Sequence, residues 1–288
     1  MRTPDATDFA SLNTLLNLTR RCEIVDIGAN PVDDIPPYLD MLRAGHCNVL
    51  GFEPQEDARQ RLMAAKGPHE RYLPYAVGDG GSHTLHVYRS SGLASLLELE
   101  PATLKVFDRF QYLGELQEKI PVDTRRLDDV EEITDIDMLK IDIQGGELAV
   151  LQHGKKALAE TLVIHTEVSF VNLYKNQPSF GEVDLELRAQ GFIPHCLVQP
   201  LLTRPITPTV YHNNPMQGQN QLLDNDIVYV RDFRAAESWP DEWLKRLAML
   251  ALCCYGSLDL VGYCLTLLQQ RQVISPSAYI DFVQNRPW

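Results

Sequence analysis

The sequence predicts an α/β fold built on a mostly parallel sheet, with an antiparallel pair at one edge and a helical extension at its carboxyl end. Three observations carry this. Apolar runs of strand length alternate with amphipathic stretches of helix length, the pattern of βαβ units. Two late strand-like runs follow each other with no crossover helix between them, which calls for antiparallel pairing. From about residue 235 onward the spacing of apolar residues becomes helical. A chain of 288 residues accommodates one domain of roughly 200–250 residues plus a small appendage.

The core strands are expected at residues 22–27, 48–52, 72–77, 138–143 and 162–168, with helices such as 55–66 and 147–159 between them. The first strand ends at Gly28, the third at Gly78–Asp79 and the fourth at Gly145–Gly146. Residues 84–88 alternate as a hairpin strand does, and residues 93–116 mix helix and loop signals. This insertion, about 80–121, falls between the third and fourth core strands and forms a candidate substrate wall. A helix at 185–190 and Gly191 lead into a strand at 192–198. Residues 200–226 are rich in Pro, Asn and Gln and too long for an inert connection, which marks a lid or binding loop. Strand character resumes at 227–230, and helices follow at 243–255, 258–270 and 276–284. The chain thus divides into an N-terminal segment (1–21), a main domain (22–233) and a C-terminal helical extension (234–288).

Composition excludes several classes. Hydrophobic residues make up 44% and charged residues 23%, the balance of a globular protein. The net charge of −13 opposes nucleic-acid binding, which draws its affinity from Lys and Arg on phosphates. Six cysteines without CxxC spacing, and a polar N-terminus without signal-peptide character, point to a reducing cytoplasm. Residues 247–268 approach membrane-span length, but Gly256, Ser257, Asp259 and Gly262 interrupt them. Gly256–Ser257 reads as a helix stop followed by an N-cap, so two short buried helices are expected, with no membrane insertion. Helices this apolar must pack on the main domain or on a second copy. The insertion and the 200–226 loop offer intrachain surfaces, and a homodimer contact is the alternative.

Four segments carry chemistry. In Ile24-Val25-Asp26-Ile27-Gly28-Ala29-Asn30 a strand ends in a glycine turn with an acid two positions before it. Glycine permits close backbone approach to a ligand, and the carboxylate fixes the turn or takes a ligand amine. In Gly51-Phe52-Glu53-Pro54 the acid ends the next strand, 25 residues after Gly28. There it accepts from two ribose hydroxyls, or else it opens a helix with Pro54 at the first helical position. A dinucleotide would need G-x-G-x-x-G to seat its pyrophosphate, and the first turn lacks it. A cofactor without phosphates fits Asp26 and Glu53 better, and S-adenosylmethionine is one. In Ala76-Val77-Gly78-Asp79 the acid accepts from an adenine amine or caps the turn. In Leu139-Lys140-Ile141-Asp142-Ile143-Gln144-Gly145-Gly146-Glu147 two charges interrupt an apolar run, two apart and hence on one strand face. They form a buried pair that shapes the site, or Asp142 stands at the cofactor's mouth. No set of histidines has metal-ligand spacing, and no metal site is expected.

The order VDIGAN, GFEP, AVGD, LKIDIQGGE, then Thr166-Glu167-Val168, Leu173-Tyr174 and Gln177-Pro178-Ser179-Phe180, resembles the FkbM family of methyltransferases from about Ile24 to Phe233. The resemblance implies a class I methyltransferase fold, a Rossmann-like sheet, with S-adenosylmethionine as cofactor and a hydroxyl oxygen of a glycan or natural product as acceptor. Where the family often has GAN-x-G, this chain has Val32 at the second Gly position and continues PVDDIPPY, as in a bacterial subgroup with GANP and PPY. The family's common Glu in the fourth motif is Gln144 here. Expected cofactor contacts are Asp26, Gly28, Ala29, Asn30, Glu53, Pro54, Gly78, Asp79 and Asp142. Asp142 is the first candidate for base or acceptor-orienting group, Lys140 its electrostatic partner and Glu167 the third catalytic candidate. Two competing readings are an NAD-type dinucleotide oxidoreductase and a non-catalytic module that keeps the fold for interaction.

Overall fold

The computed structural model describes residues 4–30, 35–107, 109–201, 203–206, 213–214, 217–218 and 220–283. The chain runs α1 (Ala6–Leu16), β1 (Cys22–Ile27), α2 (Leu39–Arg43), β2 (Cys47–Phe52), α3 (Glu56–Ala65), β3 (Glu70–Leu73), β4 (Ala76–Val77) and β5 (Ser82–Tyr88). It continues with α4 (Pro101–Val106), α5 (Arg109–Leu113), β6 (Leu116–Arg125), β7 (Met138–Ile141), α6 (Glu147–Gln152) and β8 (Val163–Ser169). Then come α7 (Phe180–Ala189), β9 (Phe192–Leu197), β10 (Asp224–Arg231), α8 (Asp241–Tyr255), α9 (Leu258–Gln270) and α10 (Pro276–Val283).

Seven strands form the main sheet in the order β3-β2-β1-β7-β8-β10-β9. The first five are parallel, while β10 runs antiparallel to both β8 and β9. The expected antiparallel edge pair is therefore β9–β10, with the later strand inserted inside the earlier one. Chain order reverses between β1 and β7, which opens a crevice at their carboxyl ends, the usual ligand position in such sheets.

A second sheet, β4-β6-β5, is the insertion. The third expected strand is split: Pro74 lies between β3, on the main sheet, and β4, which pairs with β6. Proline has no N–H for a ladder, so a strand breaks readily there. The helix expected over 147–159 stops at Gln152, just before Gly154. Much of the 200–226 loop lies outside the described residues, but its last residues, 224–226, are already strand β10.

Strand parity divides the core. Val25, Ile27, Leu139, Ile141 and Ile164 pack on one face, with residues of α6 and α7. Cys22, Ile24, Val49, Met138, Val163, Val228 and Val230 pack on the other, under α1, α8 and α9. The apolar tail helices therefore cover a bare sheet face, and that core includes no residue of the insertion. This corrects the expected intrachain surfaces: an open parallel sheet needs cover on both faces, and the tail supplies it here together with α1 and α2. Gly256 ends α8 in the left-handed conformation (φ 59°), as expected. Ser257 takes the N-cap position of α9, but its hydroxyl donates to Asp259 at 2.9 Å. Asp137, buried at the start of β7, is held by Arg20 from the segment after α1 and by Arg246 of α8 at 2.8 Å. Removing one member would leave a buried charge uncompensated. Among the described residues no helix is long and apolar enough to cross a membrane.

Candidate active site

β1 and β7 end side by side, and Gly28 is the residue that lets them meet. Its φ is +84°, and a Cβ there would lie 2.0 Å from the carbonyl oxygen of Asp142. The Gly28 N–H donates to Phe52 O at 3.1 Å and the Asp142 N–H to Ile27 O at 3.0 Å. The turn is thus stitched to both neighbouring strands. A cavity of about 360 Å³ opens beside it, lined by Asp26, Gly28, Ala29, Asn30, Glu53, Pro54, Lys140 and Asp142 among others. These eight predicted residues therefore share one wall. The cavity is of the size that small-molecule sites take.

Asp26 is buried and faces the helix-α1 side of the sheet. Tyr38 Oη donates to its Oδ2 at 2.5 Å, and Lys140 Nζ approaches its Oδ1 at 3.5 Å. Lys140 was expected to pair with Asp142. β7 ends at Ile141, however, and the cross-strand neighbour of Lys140 is Asp26. Burial pushes the Lys140 ammonium down, but Asp26, Asp142 and Asp226 outweigh it and hold the pKa above its ordinary value.

Glu53 is 2% exposed, and its carboxylate accepts from the Gln55 N–H at 2.7 Å. Burial raises its pKa, against the Gln55 hydrogen bond and the charge of Arg59. Helix α3 starts at Glu56, so Pro54 is not its first helical residue and the helix-opening account of GFEP does not hold. On the same wall the Asn30 Oδ1 is buried with no hydrogen-bond partner among the described residues. A buried acceptor of that kind calls for a ligand donor or a bound water.

Gly78 and Asp79 stand elsewhere. The cavity lining reaches Ala76 and Val77 but neither of these two. Gly78 N–H donates to Arg125 O at 2.8 Å, while Asp79 accepts from Gly81 N at 2.8 Å and meets His83 Nε2 at 2.7 Å. That His83 contact, helped by Gly81, lowers the Asp79 pKa to about 2. The pair locks the β4–β5 turn.

Beyond Ile141 the chain makes a tight loop in which Gln144 adopts φ 58°. Its amide Nε2 donates to Asp142 Oδ1 and to Glu167 Oε2, each at 3.0 Å, and its Oε1 accepts from Tyr174 Oη at 3.0 Å. Three partners thus fix which way the amide faces. Glu147 reaches back to accept from the N–H groups of Ile143 and Gly145 at 3.0 and 2.9 Å. Asp142, Glu147 and Glu167 bring ligand-type oxygens within 4.8 Å of one another, a group with the composition of a cation site made of carboxylates and without histidine. Burial and then the Asp142 charge push the Glu167 carboxyl well above the usual range, and burial pushes Glu147 to about 7. Glu167 does not line the cavity; it touches the wall through Gln144.

Sequence reasoning missed Tyr38, Ser95 and Asp226, which also line the cavity. Tyr38 ends the PPY stretch, a visible signal. Ser95 Oγ, donating to Gln144 O at 2.7 Å, and Asp226 arrive from distant segments with no local motif.

Residues 26–194 match the family described as Methyltransferase FkbM domain. The chain belongs to this family. The strand order and the cavity at the β1–β7 switch agree with a class I methyltransferase fold, and membership removes the nicotinamide oxidoreductase alternative. This FkbM methyltransferase is similar to the 2-O-methyltransferase NoeI of Sinorhizobium fredii (strain NBRC 101917 / NGR234), with 31% identity over 165 residues. That match covers 54% of this chain and 66% of the relative, just short of two thirds of the latter's length. Among solved structures, the magnesium protoporphyrin IX methyltransferase ChlM from Synechocystis PCC 6803, solved with bound SAM, aligns at 10% identity over 78% of this chain and 79% of its own, TM-score 0.36. The precorrin-6y C5,15-methyltransferase from Geobacter metallireducens GS-15 aligns at 13% identity over 77% and 88%, also with TM-score 0.36.

Proposed function

We propose that this FkbM methyltransferase moves the methyl group of S-adenosylmethionine to a hydroxyl oxygen of a glycan or natural-product acceptor. The observation that carries the reading is the single cavity wall joining Asp26, Gly28, Asn30, Glu53 and Asp142. Asn30 Oδ1, buried without a partner among the described residues, fits a cofactor that brings its own N–H donors, and Glu53 fits a ribose diol. The lack of a phosphate-binding glycine pattern fits a cofactor with none. The NoeI relative, an O-methyltransferase by name, supports oxygen as the acceptor atom.

S-adenosylmethionine supplies a methyl group already activated by a positive sulfur. The protein's share is placement and removal of one proton. Gly28 admits the cofactor's backbone-side approach, Ala29 and Pro54 shape the wall, and Asp26 and Asn30 hold its amino end. Glu53 accepts from its ribose. Asp142 takes the proton of the acceptor hydroxyl. Glu167, whose carboxyl burial and then the Asp142 charge push upward, steadies Asp142 through Gln144 and is the next candidate for that task. Lys140 offsets the surrounding carboxylates. Gly78 and Asp79 hold the turn after the Val77 wall and act on the cofactor only through it. The six free cysteines favour a cytoplasmic setting.

Calorimetry with S-adenosylhomocysteine tests the reading. A micromolar Kd, about −8 kcal/mol, is expected, and Glu53→Ala should weaken it by about 2–3 kcal/mol, the loss of a charged acceptor of hydroxyl donors. Tight binding of NAD with none of S-adenosylhomocysteine would overturn it.

A further inference from the structure

Asp26, Lys140, His165 and Asp226 form a polar row across four strands, on the sheet face that α8 and α9 cover. Cross-strand register aligns Asp26 with Lys140 and Lys140 with His165, while Asp226 lies two residues before Val228, the partner of His165. The deeper residues of the same parity, Ile24, Met138, Val163 and Val228, are buried core. The row is thus where an apolar face turns polar at the carboxyl edge of the sheet. Asp26 and Lys140 belong to the cofactor wall, whereas Asp226 has no part in the cofactor site described above, although it too lines the cavity.

Asp226 is held from behind. His165 Nε2 lies 3.0 Å from its Oδ2, and His165 Nδ1 lies 3.1 Å from Tyr255 Oη, the last residue of α8. A carboxylate only accepts, so Nε2 donates to Asp226, while Nδ1 and the Tyr255 hydroxyl stand at hydrogen-bond distance. His165 is 5% exposed and Asp226 32%, so the carboxylate is the member that faces the cavity. Three strand steps of about 4.8 Å separate β10 from β1, which sets Asp226 on the order of 14 Å along the sheet edge from the strand that carries Gly28, on the far side of Asp142. That is the acceptor's side of the cavity.

We propose that Asp226 is a second acceptor-binding carboxylate, and that the acceptor is a neutral polyol offering one hydroxyl to Asp142 and a nearby hydroxyl to Asp226. This rests on the methyl-transfer reading of the same site. Charge decides the class. Asp26, Asp142 and Asp226 repel an anionic acceptor. Lys140 already supplies a cation to these carboxylates, so the acceptor need not bring an ammonium of its own. A monohydric apolar alcohol would leave Asp226 desolvated with no donor. A second hydroxyl meets the requirement without charge. His165 and Tyr255 are positioning residues, and through Tyr255 the C-terminal extension enters the active site.

Saturation-transfer NMR on the full chain saturated with S-adenosylhomocysteine tests this. The probes are methyl glycosides of common hexoses and deoxyhexoses, their singly deoxygenated derivatives, and cyclohexanol as a one-hydroxyl control. At least one glycoside should bind, and its best deoxy derivative and cyclohexanol should bind about tenfold or more weakly. Asp226→Asn should weaken the glycoside by a similar factor and erase its advantage over the deoxy derivative, with S-adenosylhomocysteine affinity within twofold of the parent. Tyr255→Phe, which removes one oxygen, should weaken the glycoside several-fold with cofactor affinity unchanged. Absence of glycoside binding, equal binding of glycosides and their deoxy derivatives, or a glycoside affinity untouched by both substitutions would overturn the inference. Failure of the parent chain to bind S-adenosylhomocysteine would instead refute methyl transfer, and the inference with it.

Discussion

Gly28→Ala is the substitution whose effect the structure defines most sharply. The new Cβ would stand 2.0 Å from Asp142 O, 3.0 Å from Asp142 C and 3.1 Å from Ile143 Cγ2, and the first two are backbone atoms that no rotamer change can move. The residue would also keep φ +84°. The left-handed conformation costs a residue with a side chain about 1–2 kcal/mol, and overpacking adds about 1–3 kcal/mol. The sum, roughly 2–5 kcal/mol, corresponds to a fall in Tm of about 5–15 °C for a chain of this size. Gly45→Ala is the internal control, because Gly45 has φ +73° but nothing within 4 Å of its added Cβ. It should lose only the dihedral part, about 1–2 kcal/mol. Relief of the clash must part β1 from β7, so Gly28→Ala should also lose S-adenosylhomocysteine affinity while Gly45→Ala keeps it. Differential scanning calorimetry and titration calorimetry read both quantities. If Gly28→Ala melts with Gly45→Ala and binds the cofactor product as the parent does, the close approach of the two strand ends is wrong.

Three further outcomes are expected. Asp142→Asn should keep S-adenosylhomocysteine affinity within a few-fold yet lower turnover by about 10²- to 10⁴-fold; unaffected turnover would place the base elsewhere. The Glu147 carboxyl titrates near 7 when folded, against an ordinary 4.5. Its contribution to stability is therefore complete below about 4.5 and lost as pH rises through 7, so Tm should fall between pH 5 and 8 and fall less steeply in Glu147→Gln. An identical slope in the variant would refute that assignment. Truncation after Phe233 should bare the sheet face under α8 and α9 and give an aggregating protein; a soluble, equally heat-stable product would show that the tail contributes nothing to the core.

What could be read in advance was whatever is local. A strand that ends in Gly with an acid nearby is a short-range pattern, and Asp26, Gly28, Glu53 and Asp142 were all found by it. The segments that misled were those where tertiary context decides. β6 is exposed along most of its length and has no apolar alternation to betray it. Helix α1 lies in the N-terminal segment, and the capping box of Asp5 and Asp8 is the local signal that marks its start. Asp79 fitted the adenine role by position alone, and only the fold shows that its carboxylate turns to His83. Asp226 lies on a strand whose motif is apolar, and its meaning comes from His165, 61 residues away.

The covered sheet face also sets an order of events during synthesis. β1, β2, β7, β8 and β10 are all made before α8 and α9, yet Ile24, Val49, Met138, Val163 and Val228, which α1 covers in part, are fully buried only once those helices arrive. At about 5–20 residues per second, the stretch from Arg231, where the last strand ends, to Leu268 takes on the order of 2–7 s to synthesise. Throughout that interval the nascent chain carries a nearly complete sheet with one wet apolar face, open to chaperones or to a neighbouring ribosome's product. Slow stretches of translation placed before residue 241 should therefore lower the yield of folded protein more than the same pauses placed after residue 268.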